Sequence, residues 1–140
     1  MNWNTRRDIH WHWPTESEFF SELARELGTD SLTQDLKEEV RRKLARYVTG
    51  LSRVRKDHKE LVGFRAQSMI ELRLTVIGLF GEKNLRLILS HQPAGIYVLR
   101  WHVKDPAAAP HAQRHQMNEA VKQAIKRLEG LNIDKDGPNV

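Results

Sequence analysis

The chain has 140 residues, no cysteine and a formal net charge of +5, with 39% hydrophobic and 29% charged residues. This length fits one ordinary domain, so we expect a single domain over residues 1–130 and a flexible tail over residues 131–140. The lack of cysteine excludes disulfides, thiolate catalysis and cysteine-ligated zinc. Because neither a membrane-spanning run nor a secretory signal is evident, we expect a cytoplasmic protein without a membrane partner.

Basic side chains concentrate in the middle of the chain. Residues 37–65 hold ten basic and four acidic side chains, whereas residues 1–36 hold three and seven. Such a patch can attract nucleic acid, ribosomal RNA or an acidic protein. For the helix predicted in this region, the simpler interpretation is that its charges solvate its outer face. These charges are Lys37, Arg41, Arg42, Lys43 and Arg46.

A short strand and a helical hairpin are predicted for the first third of the chain. Residues 8–13 alternate between apolar and polar side chains, which favours a strand. Thr15 and Glu18 form a capping box for a first helix that Gly28 ends, and a second helix start follows at Ser31. The short connection favours an antiparallel hairpin. The apolar stripes of the two helices are Phe19, Phe20, Leu23 and Leu27, and Leu36, Val40, Leu44, Tyr47, Val48 and Leu51.

Histidines and tryptophans in this sequence have structural interpretations that compete with functional ones. His10 and His12 have a spacing that suits metal ligation, but no third or fourth ligand accompanies them, so we predict no metal site. Three of the four tryptophans share the phase of aliphatic neighbours, which favours packing in the core over stacking on bases. They are Trp11, Trp13 and Trp101.

Three strands and a helix are predicted after a charged connector over residues 52–67. Residues 70–76, 85–89 and 96–104 alternate with period two, and the glycine-containing reversals between them are short enough for hairpins. Pro110 begins a final helix that Gly130 ends. The sequence therefore predicts an α+β fold of order β-α-α-β-β-β-α, in which a small antiparallel sheet packs against the helical hairpin and the C-terminal helix.

Cationic side chains occupy the polar phase of the three predicted strands. In the first strand, Glu71 and Arg73 point away from the apolar side. The later strands carry Arg86, Arg100, His102 and Lys104 in this phase. A cationic sheet face is what a phosphate-bearing partner requires. The alternative is that the arginines of the first two strands simply form cross-strand ion pairs with Glu71 or Glu82.

These elements resemble the RelE/ParE superfamily of bacterial and phage toxins, in particular its HigB-like, phage-derived branch. Ile70-Glu71-Leu72-Arg73 is similar to the Glu-Leu-Arg signature that opens the second strand of the family. Residues 85–89 and 98–104 are similar to its next two strands, and Pro110 falls at its Thr-Pro step before the last helix. The resemblance covers roughly residues 8–129 and implies a RelE-like fold.

This resemblance implies the toxin of a type II toxin-antitoxin system, which cuts mRNA, commonly on the ribosome, without a cofactor and is neutralised by a cognate antitoxin. RNA cleavage by the ribose 2′-hydroxyl needs a base, cationic donors at the phosphate and an acid. We expect Arg73 and Arg86 to stabilise the phosphate. We expect His102 and His115 to transfer protons. The expected contacts to the RNA backbone are Arg100, Lys104, Arg114 and His111.

One segment departs from the family pattern. Residues 104–111 read KDPAAAPH, whereas close relatives have a lysine-rich run at this place. Histidines at 102, 111 and 115 could replace the lysines as acid and base, or the protein does not cut RNA. Two other functions therefore stay open: a ParE-like toxin that poisons a topoisomerase, and a non-catalytic binding module on the toxin fold.

Overall fold

The computed structural model describes residues 9–12, 15–28, 34–61, 68–78, 81–104 and 107–131. Over these residues the chain is an α+β protein with three helices and a five-stranded mixed sheet. The elements in chain order are β1 (Ile9–Trp11), α1 (Glu16–Glu26), α2 (Gln34–Val48), β2 (His58–Glu60), β3 (Met69–Gly78), β4 (Gly81–Gln92), β5 (Gly95–Lys104) and α3 (Pro110–Gly130).

The strands of the described residues lie in the order β1-β5-β4-β3-β2. The pairs β3–β4 and β4–β5 are antiparallel, as predicted. β1 runs parallel to β5, with Ile9 opposite Ile96, so the prediction of an entirely antiparallel sheet is wrong. The alternation of apolar residues indicates which face of a strand is buried, but not whether the strand runs parallel or antiparallel to its neighbour. The neighbour of β1 is β5, which lies far away in the sequence.

The connector contains a strand that the sequence analysis missed. β2 has three residues and pairs antiparallel with β3, where Lys59 lies opposite Glu71. It is an edge strand with a charged, exposed end, and such strands carry no apolar alternation. β1 is shorter than the predicted residues 8–13, and both Asp8 and Trp13 lie outside the described residues.

The helical hairpin covers one face of the sheet. The predicted apolar stripes of α1 and α2 are buried against the inward residues of β3, β4 and β5. Trp101 lies in this cluster and Trp11 packs against it, as predicted. Leu51 does not belong to the stripe, because α2 ends at Val48 and leaves the Leu51 side chain 62% exposed. The predicted start of this helix at Ser31 lies outside the described residues.

Two charges of α2 do more than solvate its surface. The guanidinium of Arg41 forms an ion pair with Glu16 of α1 at 2.8 Å. The Nζ atom of Lys43 lies 2.9 Å from Oδ1 of Asp57 in the connector. These two contacts tie α2 to both of its neighbours in the chain, so the prediction that this basic face is purely solvated is wrong.

α3 covers part of the opposite face of the sheet. Its small buried residues pack against Met69, Ile88 and Leu99. A bulge in β5 makes this possible, because Ile88 lies opposite Arg100 while the next residue of β4 lies opposite Val98, leaving Leu99 as the extra residue. The predicted cationic face is therefore apolar beneath α3 and cationic beyond it. The buried residues of α3 are Ala120, Val121 and Ala124.

Candidate anion-binding cleft

Three predicted site residues face one another on adjacent strands. Arg73 of β3 lies opposite Arg86 of β4, and Arg86 lies opposite His102 of β5. Side chains that face each other across antiparallel strands project from the same side of the sheet at short separation. These three side chains therefore meet, and together they line a common cleft beside the first turns of α3.

The cleft is open, has a volume of about 290 Å³ and is strongly positive. Among the described residues, five cationic side chains and one carboxylate line it. The first turn of α3 contains no acidic residue and reaches the cleft at Pro110 and Gln113. The positive end of the helix dipole adds to the positive potential of this region. The charged lining consists of Lys59, Arg73, Arg86, Lys104, Arg114 and Glu71.

Glu71 holds the two central arginines from the floor of the cleft. Its side chain is nearly buried, and its Oε2 atom accepts a hydrogen bond from Nε of Arg73 at 2.7 Å and lies 3.5 Å from Nε of Arg86. The Nη1 atoms of these arginines donate to the backbone carbonyls of Arg55 and Leu85. Among the hydrogen bonds of the described residues, none uses Nη2 of either arginine. Glu71 therefore pairs with Arg73 within β3 and with Arg86 across to β4, and neither pair uses the Nη2 donors.

Burial sets the protonation of the histidine in the cleft. The pKa of His102 is lowered, first by burial and then by the charges of Arg100 and Arg86, while Glu71 raises it. At neutral pH the imidazole is therefore uncharged and can accept a proton. Burial also lowers the pKa of Arg86, against the opposing effect of Glu71. A guanidinium remains protonated despite such a shift, so Arg86 keeps its charge.

A second hollow, of about 380 Å³, lies on the other side of His102, between β5 and α3. His115 and Arg100 line this hollow and do not line the cleft. Arg100 lies along α3, where its Nε atom donates to Oε1 of Gln123 at 2.8 Å. His102 is therefore the wall that the cleft and the second hollow share.

The predicted site residues fall into three groups. Five of them line the cleft, and two others line the second hollow alone. His111 is exposed on α3 and lines neither space. Lys59 was not among the predicted site residues, because β2 was not predicted, and Glu71 was predicted only as an ion-pair partner. The five cleft residues are Arg73, Arg86, His102, Lys104 and Arg114.

Of the two histidines at β1, His10 is held by packing. His10 stacks on Tyr97 with ring centroids 4.5 Å apart, and its Nε2 atom lies 3.3 Å from the carbonyl oxygen of Ala94. His12 is exposed at the end of β1. Over the described parts of the chain, no three side chains of the types that bind metals come together.

Comparisons with known proteins assign no function to the chain, so its function is inferred from the chemistry of the cleft. No protein-family model, curated protein or solved structure matched the chain. None of the described helices combines the length and the apolar character needed to cross a membrane. By its chemistry, the cleft can bind a phosphate through several guanidinium and ammonium donors and can place an uncharged imidazole beside it.

Proposed function

We propose that the protein is the toxin of a type II toxin-antitoxin system and acts in the cytoplasm as an mRNA endoribonuclease on the ribosome. One observation carries the proposal: Arg73, Arg86 and His102 lie at facing positions of adjacent strands and line one positive cleft. The resemblance of residues 70–73 and the following strands to the RelE/ParE toxins supports the choice of RNA as the substrate. A cognate antitoxin would inhibit the protein by covering this cleft.

The proposed reaction begins at the ribose 2′-hydroxyl. The uncharged imidazole of His102 accepts the hydroxyl proton while the 2′ oxygen attacks the adjacent phosphorus. Arg73 and Arg86 hold the phosphate oxygens, on which negative charge accumulates as the new bond forms. Because Glu71 and backbone carbonyls already orient both guanidinium groups, little reorganisation is needed when the phosphate enters.

The reaction is completed by loss of the 5′ oxygen. The bond between phosphorus and the 5′ oxygen breaks, giving a 2′,3′-cyclic phosphate and a 5′-hydroxyl end. We assign the donation of a proton to the leaving oxygen to His115, which lines the second hollow next to His102. Lys104 and Arg114 contact neighbouring phosphates from the rim of the cleft, and Arg100 and His111 are assigned to more distant parts of the RNA backbone.

Induced expression in bacteria tests this proposal. The parent should stop translation rapidly and generate mRNA fragments that end in 2′,3′-cyclic phosphates. Arg73→Ala should slow cleavage about 10²- to 10³-fold, because loss of one transition-state donor costs about 2.7–4 kcal/mol. His102→Gln should slow it about 10²- to 10⁴-fold, because it removes the general base. The matched control is Arg42→Ala, since the Arg42 guanidinium pairs with Glu39 on α2, 2.7 Å away. It should cleave mRNA as the parent does.

Other outcomes of the same experiment identify the other functions. DNA damage signalling without mRNA fragments would indicate a topoisomerase poison similar to ParE. An absence of any effect on growth would indicate a binding module. Full cleavage by Arg73→Ala and His102→Gln would show that the RNA is cut elsewhere on the protein.

A further inference from the structure

A buried carboxylate outside the cleft organises the segment behind Arg73. Asp57 is 2% exposed and lies just before β2. Its side chain accepts hydrogen bonds from the backbone N–H of Arg53 at 2.9 Å, from Nε of Arg53 at 3.1 Å and from Nζ of Lys43 at 2.9 Å. Buried charges persist where partners of this kind satisfy them. Asp57 therefore fixes the turn formed by residues 53–58 to the side of α2.

The 53–58 turn has a strained backbone that its hydrogen bonds maintain. Arg55 has a φ of 72°, in the left-handed region that residues with a side chain seldom adopt. The turn is closed by hydrogen bonds from the N–H of Arg55 to the carbonyl of His58 and from the N–H of Asp57 to the carbonyl of Arg53. Strain of this kind survives when the surrounding contacts determine the conformation.

The 53–58 turn contacts both the guanidinium and the backbone N–H of Arg73. The carbonyl oxygen of Arg55 accepts a hydrogen bond from Nη1 of Arg73 at 2.7 Å. The carbonyl oxygen of Asp57 accepts a hydrogen bond from the backbone N–H of Arg73 at 2.8 Å. Together with Glu71 at Nε, these contacts fix the guanidinium and leave Nη2 for a ligand.

We propose that Asp57 is a positioning residue, which acts through the 53–58 turn to hold Arg73 in the orientation that binds an RNA phosphate. Asp57 does not line the cleft, and the two hydrogen bonds that Arg73 donates to the 53–58 turn are the route by which it acts. The inference rests on the proposed function in one respect, namely that Arg73 binds phosphate. It adds that the affinity of the cleft depends on a charge placed behind it.

A double-mutant cycle tests the inference. The probe is a short RNA with 2′-O-methyl groups, which binds without being cleaved, and the readout is its dissociation constant. Asp57→Asn in the parent should weaken binding about tenfold, the cost typical of losing one charge-assisted contact. In the Arg73→Ala background the same change should have no further effect, because residues that act as a unit are not additive.

The matched control is Glu16→Gln, which removes an ion pair between α1 and Arg41 of α2 that does not involve Asp57. It should leave RNA affinity unchanged in both backgrounds. Equal weakening by Asp57→Asn in the presence and in the absence of Arg73 would show a general effect on the fold and would overturn the inference. Unchanged binding by Asp57→Asn in the parent would overturn it as well.

Substitutions at Arg55 keep the inference testable if Asp57→Asn does not fold. Glycine adopts a positive φ readily and keeps the carbonyl, so Arg55→Gly should bind RNA as the parent does. Proline fixes φ near −65° and removes the N–H, so Arg55→Pro should redirect the carbonyl and weaken binding about tenfold. Equal binding by these two variants would contradict the inference. If Arg73→Ala alone left binding unchanged, the proposed function would fail instead.

Discussion

Glu71 carries a nearly buried negative charge between two arginines. Removing this charge tests how much it stabilises the positively charged cleft. Glu71→Gln keeps the shape and an acceptor but leaves Arg73 and Arg86 facing each other without a counter-charge. We expect the free energy of unfolding to fall by about 1–3 kcal/mol. Added phosphate should restore more stability to this variant than to the parent, because the anion takes the place of the lost charge. Urea unfolding with and without phosphate measures both effects.

The control for this measurement is Glu119→Gln. Glu119 forms an exposed ion pair with Lys122 on α3 at 3.3 Å. Exposed pairs contribute little, so this variant should stay within about 0.5 kcal/mol of the parent and respond to phosphate as the parent does. If both variants lost the same stability and responded alike to phosphate, Glu71 would have no special role in the cleft.

The lowered pKa of His102 predicts how stability depends on pH. Above about pH 6.5 the imidazole is neutral in the folded and in the unfolded chain. Below that pH the unfolded chain binds the proton first, so the free energy of unfolding decreases as the pH falls towards the lower pKa of the folded state. His102→Gln should flatten this decline in urea unfolding between pH 8 and pH 5.

Part of the decline should remain in His102→Gln, because burial and Arg127 also lower the pKa of His12. His111→Gln provides the control, since it removes an exposed histidine that lines neither the cleft nor the second hollow. This variant should keep the slope of the parent. A decline in His102→Gln as steep as that of the parent would contradict the assignment of a neutral imidazole.

At the scale of the elements, close packing of α3 on the sheet depends on small side chains. Ala124 is fully buried in the cluster that joins α3 to Met69, Ile88 and Leu99. Ala124→Leu adds volume where no space is available, and we expect a loss of about 1–3 kcal/mol in the free energy of unfolding. Lys122→Leu adds an apolar side chain at an exposed position of the same helix and should change stability by less than about 0.5 kcal/mol. Equal unfolding midpoints would contradict this packing.

Elements could be predicted from the sequence where their apolar periodicity extends over several helical turns or several alternations along a strand. Both helices of the hairpin, the three long strands and α3 were found in this way. β2 escaped detection because its three residues are polar and lie at an edge. The parallel pairing of β1 depends on a contact with β5 that no local pattern encodes.

The sequence predicted which residues form the candidate site better than it predicted how these residues are arranged. Alternation placed Arg73, Arg86 and His102 on the polar phase, whereas the facing register arises from how the strands pair. Arg100 keeps the phase of His102 but lies beside α3, and the sequence does not show which part of this face the helix covers. The burial of Glu71 depends on neighbours that come together only in the folded sheet.

For the whole molecule, the charge distribution predicts how RNA binding responds to salt. The logarithm of the association constant for single-stranded RNA falls with the logarithm of salt concentration by about 0.7 for each neutralised phosphate. If the cleft contacts about three phosphates, the slope should be about −2. Arg114→Ala should make the slope shallower by about 0.7, whereas Arg42→Ala should not change it. Titrations of the 2′-O-methyl RNA at several salt concentrations measure this slope, and an unchanged slope for Arg114→Ala would exclude that contact.

The parallel pairing of β1 with β5 has a consequence for the order of folding. The three-stranded meander of β3, β4 and β5 closes through short loops, so it can form early. β5 supplies the edge on which β1 docks, so Ile9 reaches Ile96 through a contact that is distant in sequence. We therefore expect β1 to be among the last parts of the sheet to form during refolding and among the first to detach during unfolding.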